Sequence, residues 1–254
     1  MDINDFHKEM LRIFYERTNY DKINITINTC DDIYECALNY SPCQKHKSML
    51  IEHKEIITHF NGISFPKEKL EDGYYAIISK NVFNKKNNTY LGTYQHEITH
   101  AHDFAVMAKY IGAKYAKDIY ASEFYGDAMG TISEFNARRN GFSYLRELSY
   151  RFADIEEERN HVLSREVPFI INNTKDADNF DNLSQLFGRM AVLDSKTEER
   201  ARYQFYEYLA TVFNQYSFDR VIKIYEILYK YKDVKNNIFL CLPEITPITK
   251  ELFG

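Results

Sequence analysis

The residues with the clearest chemistry are His96-Glu97-Ile98-Thr99-His100, an H-E-x-x-H pattern followed by Ala101-His102-Asp103-Phe104. On a helix, residues four apart share a face. His96 and His100 can therefore hold one metal ion together. Glu97 sits about 100° round from His96, near enough to flank the ion without binding it. Two imidazoles and a carboxylate able to take a proton from a metal-bound water form the working part of a zinc hydrolase.

Such a site needs a third protein ligand and one open position. Two downstream carboxylates are candidates, Glu123 and Glu134, each within a Ser-Glu-Phe triplet. Glu134 is preferred. It is expected to open a helix, with small Ala137 one turn on the same face. That lets the motif helix approach. Arg138, four residues on, could steady the Glu134 carboxylate, and Asp103, one turn past His100, could orient a ligand. The rival reading of Glu134 is structural, because Thr131-Ile132-Ser133-Glu134 is also a capping box. His102 lies on a different helix face from His100 and is expected to be packed or hydrogen-bonded. Cys30, Cys36, Cys43 and His46 lack a C-x-x-C knuckle, so buried thiols are a better reading than a second zinc site.

These residues resemble a known family. His96-Glu97-Ile98-Thr99-His100 with Asp103, then Glu134-Phe135-Asn136-Ala137, is similar to the gluzincin metallopeptidases. The nearest likeness is to the ImmA/IrrE-like and related phage- or mobile-element-associated metallopeptidases. The resemblance covers about residues 70–150. It implies zinc ligands His96, His100 and Glu134, with Glu97 as the base that activates a zinc-bound water against a peptide bond. It also implies a protein or peptide substrate, such as a regulatory protein. Three departures stand out: there is no third His of the metzincin kind, Thr99 replaces the usual Gly, and the run from His100 to Glu134 is long. The last keeps Glu123 open as the alternative ligand.

The surrounding elements must position this site. Residues 4–18 read as an amphipathic helix through Phe6, Met10 and Ile13, and Ile23–Asn28 alternates as a half-buried strand. Asp31–Tyr40 reads as a short helix. Ser41-Pro42 is expected to start another, which Asn61-Gly62 stops. Tyr74–Ser79 reads as a second strand, expected to pair with an extended substrate. The motif helix should start near Leu91 and end at Gly112. Tyr94, Ile98, Ala101, Ala105 and Ala108 form its core stripe, and His96, His100, Asp103 and Met107 the stripe left for a cleft. A helix is expected from Gly130 to about Leu163, and a polar loop over residues 172–182. Later helices are expected at Asn182–Leu193, after a Ser195 capping box, and after Ser217 as cap. Residues 243–254 should be irregular or a short helix.

The fold expectation is α+β. A zincin-like domain with a small mixed or antiparallel sheet spans residues 1–165, and a mainly helical region over 166–254 packs on it. Composition is that of a globular protein, with 44% apolar and 27% charged residues. A net charge of −5 argues against a broad nucleic-acid footprint. The acidic start, Met1-Asp2-Ile3-Asn4-Asp5-Phe6, has no apolar h-region, and no run reaches the roughly 18 apolar residues that span a bilayer. A cytoplasmic setting without membrane or nucleic-acid partners is expected. The alternatives to a zinc metallopeptidase are a zincin-fold regulatory protein without turnover and a zinc hydrolase of a non-peptide amide.

Overall fold

The structure is a computed structural model and describes residues 2–84, 89–148, 157, 160–166, 168, 180–193 and 195–253. It is mixed α+β, with two compact units, Met1–Tyr125 and Gly126–Gly254.

The first unit is built on a three-stranded sheet in the order β1-β3-β2, with β1 Ile25–Cys30, β2 Gly62–Pro66 and β3 Tyr74–Ser79. β1 runs parallel to β3, with Ile25 opposite Tyr74 and Cys30 opposite Ser79. β2 runs antiparallel to β3, with Gly62 opposite Ile78. Alternation along the strands divides the core in two. Ile25, Ile27, Tyr74, Ala76 and Ile78 meet Met10 and Phe14 of α1 (Ile3–Thr18) and Tyr94, Ile98 and Ala101 of α5 (Thr89–Ile111). On the opposite face, Ile77 and Phe65 meet Ile33, Tyr34 and Ala37 of α2 (Ile33–Asn39), Leu50 of α3 (Gln44–Glu52) and Ile57 of α4 (Lys54–Ile57). β3 is buried on both faces, which is why its sequence is nearly continuous in apolar residues. A short helix, α6 (Ala116–Ala121), closes the unit.

The strand pairing differs from expectation in two places. β3 is the central strand, and both of its edges are paired, so no substrate can add to it. Asn61-Gly62 does not simply stop a helix. The preceding helix ends at Ile57, Gly62 is itself the first residue of β2, and Pro66 is tolerated there because β2 is an edge strand.

Ser41 does not cap α3, which starts at Gln44 with Cys43 as N-cap. The Ser41 hydroxyl instead lies 3.0 Å from His46 Nδ1. His46 is packed on Phe65 and Tyr120, and burial pushes its imidazole pKa down to about 4. An unfolded histidine titrates near 6.5, so between those values the unfolded chain binds more protons than the folded one. Stability from this residue is full above about 6.5 and is lost as pH falls towards 4, by up to about 3 kcal/mol. Urea midpoints measured from pH 7 to pH 4 should fall accordingly. The His46→Gln variant should lose that part of the slope.

The second unit is centred on α7 (Asp127–Glu147), N-capped by Gly126. Around it stand α8 (Phe180–Met190), α9 (Ser195–Val212), α10 (Gln215–Lys230) and α11 (Ile238–Phe253). α7 and α8 pack backbone to backbone at Gly188, where a Cβ would lie 2.4 Å from the Phe135 carbonyl oxygen. Asn136 and Asn237 exchange two side-chain hydrogen bonds of 2.8 Å in the core. Tyr225 packs at a tilt against Phe187 and donates a 2.6 Å hydrogen bond to the buried Glu198.

Two further boundaries differ from expectation, and the C-terminal stretch takes the helical one of its two expected forms. Asn214, not Ser217, caps α10, accepting from the Ser217 amide. Ser195 is the first residue of α9 rather than a cap ahead of it. Residues 243–253 are helical despite Pro243 and Pro247, and the Thr246 hydroxyl bonds back to the Leu242 carbonyl at 2.7 Å. Within the expected loop, residues 180–182 belong to α8, while 172–179 lie outside the described residues, as does Phe152. Among the described residues no helix is long and apolar enough to cross a membrane.

Candidate metal centre

α5 begins at Thr89 and runs past the motif to Ile111, where Gly112 at φ 69° ends it. Its core stripe is as expected at Tyr94, Ile98 and Ala101, all fully buried. The other stripe divides. His96 and His100 are half-buried, whereas Asp103 and Met107 are buried. Helix α1 fixes this end of α5. The buried Gln95 amide donates to the Met10 carbonyl, and Arg17 donates to Gln95 Oε1. His102 is packed, as expected, stacking on Tyr20 at 4.3 Å.

The two motif imidazoles point at each other edge to face, with Nε2 atoms 2.9 Å apart. Two nitrogens bound at about 2.0–2.1 Å to one tetrahedral zinc stand about 3.3 Å apart. An opening of a few tenths of an ångström would therefore admit an ion. One ligand atom from each of His96, His100 and Glu134 lie within 4.8 Å of one another, so these three form a group that could hold a metal ion. Two neutral nitrogen donors and one carboxylate are a donor set that suits zinc.

Glu134 reaches this position differently from the expectation. It lies in the interior of α7 rather than at its start. Thr131-Ile132-Ser133-Glu134 is therefore mid-helix and forms no capping box, which removes the structural rival for Glu134. Ala137 is fully buried on the same helix. Arg138 donates to Gln185 of α8. Glu123 is exposed in the segment after α6, outside the group of three. Cys30, Cys36 and Cys43 are free thiols and form no metal-binding group with His46 among the described residues. Burial pushes the Cys30 thiol up to about 12.

Glu97 is not among the potential ligands. It is buried, with its carboxylate against β2. Ser64 Oγ lies 2.9 Å from Glu97 Oε2 and 2.9 Å from the Glu97 carbonyl oxygen. A Cβ on Gly62 would sit 2.5 Å from Glu97 Cγ, so any larger residue there would displace this side chain from its place. Residue type marks Gly62 only as a helix stop and does not mark Ser64. The available signal was the small residues at alternate positions of Gly62-Ile63-Ser64-Phe65, a run too short to separate from a loop.

No protein-family model, curated protein or solved structure matches the chain.

Proposed function

We propose that the protein is a zinc-dependent metallopeptidase of the gluzincin type, with His96, His100 and Glu134 as ligands and Glu97 as general base. What carries the reading is the convergence of those three ligand atoms, two of them from a helix whose motif also supplies Glu97, which is not one of them. A bound zinc ion would acidify a water molecule and polarise the substrate carbonyl. Glu97 would take the proton as that water attacks, then pass it to the leaving amine. As an edge strand beside α5, β2 would offer unpaired backbone groups to an extended peptide, the role first expected of β3. The substrate would be a protein or peptide, with a regulatory protein as the inferred class.

Metal removal tests this. Dialysis against a chelator should abolish hydrolysis of fluorescein-labelled casein, and one equivalent of zinc should restore it. Hydrolysis unaffected by the chelator would reject the reading.

A further inference from the structure

We propose that Ser64 is a positioning residue for Glu97: its hydroxyl, with the bare Cα of Gly62, holds the Glu97 carboxylate in one orientation against β2. The proposal rests on the metallopeptidase reading for its catalytic consequence, but not for its geometry. Residues two apart on a strand point to the same side. Ile63 and Phe65 pack towards α2–α4, so Gly62 and Ser64 face α5. On that side both positions are small. Gly62 contributes the space, since any Cβ there would overlap Glu97 Cγ, Cδ and Oε1 at 2.5–2.7 Å. Ser64 contributes the polar contact.

The serine hydroxyl has one hydrogen and two acceptors at 2.9 Å, the Glu97 carboxylate and the Glu97 carbonyl. It serves one at a time. Charge assistance favours the carboxylate, and a hydrogen bond to a charged group is about twice as strong as a neutral one. The side chain of a general base has several rotatable bonds, and misplacement by about an ångström is costly to the rate. A single directional bond from the neighbouring strand removes that freedom.

The test compares Ser64→Ala and Ser64→Thr with the wild type, all zinc-loaded. Threonine keeps the hydroxyl, suits a strand, and replaces a half-buried residue, so its methyl can be accommodated. With labelled casein, Ser64→Ala should lower kcat by about 10- to 100-fold, the size of a lost hydrogen bond to a charged group. KM and zinc stoichiometry should not change. Ser64→Thr should recover to within about threefold of wild type. An unchanged kcat with a lowered melting temperature would show that the hydroxyl only ties β2 to α5, and would overturn the proposal. Loss of zinc in step with activity would overturn it too. If wild type and Glu97→Gln are equally inactive on casein, the metallopeptidase reading fails while the geometry is still decided by crystallography. In Ser64→Ala the Glu97 carboxylate should leave its wild-type position or split into conformers. A carboxylate that superposes on the wild type contradicts the proposal.

Discussion

Glu97→Gln is expected to reduce hydrolysis of labelled casein at least a hundredfold, roughly the low end for loss of a positioned general base, while metal content stays unchanged. Glutamine has nearly the shape of glutamate, and its amide oxygen can still accept from Ser64. The Gly62 gap that admits one side chain admits the other, so β2 and α5 should keep their places. What is lost is the capacity to take a proton. Because Glu97 lies outside the ligand group, removing its charge should not release the ion. Paired measurement of turnover and zinc content separates the outcomes. Equal turnover in the two proteins would mean that Glu97 moves no proton. If neither turns over any substrate while both bind zinc, the chain would be a regulatory protein built on the same site.

Removing a ligand should act in the opposite way. Glu134→Ala is expected to weaken zinc binding by more than about a hundredfold, beyond the 10- to 100-fold typical when a residue supporting a ligand is lost. Competition with a chromophoric chelator would measure it. The helix should survive, because Glu134 sits mid-helix in α7 and makes no capping box. Alanine also has a higher helix propensity than glutamate. Glu123→Ala is the control. Glu123 is exposed after α6, and its loss should leave affinity within about twofold, the ordinary effect of a surface change. If only Glu123→Ala strips the metal, the ligand set is wrong.

The parts of the site carried by helical spacing were legible in the sequence. His96 and His100 converge because a four-residue step is one helical turn, and the stripe Tyr94-Ile98-Ala101 faces the sheet because burial follows that period. Other parts depended on long-range pairing. β3 was read correctly as a strand, but its central position comes from β1 and β2 pairing on either side, which no local pattern encodes. β2 itself is five residues ending in proline, and reads as a turn until an edge position excuses the proline. Thr131-Ile132-Ser133-Glu134 has the residue types of a helix start, yet α7 begins at Asp127. Residue types permit a cap, and the chain before them decides whether one forms. Pro243 and Pro247 broke the local helical pattern, but α11 forms with buried Ile245 and Ile248 in place. The Ser64–Glu97 contact joins residues 33 apart in sequence and is visible only once β2 lies against α5.

The proposed site holds one zinc ion on His96, His100 and Glu134. X-ray absorption at the zinc edge of the loaded wild-type protein tests it most directly. One zinc per chain is expected, with two imidazole nitrogens and oxygen ligands at about 2.0–2.2 Å and no sulfur. Glu134→Ala should retain the imidazole signal at saturating zinc with an altered oxygen shell. A sulfur shell near 2.3 Å, absence of stoichiometric zinc, or an oxygen shell untouched by Glu134→Ala would contradict it.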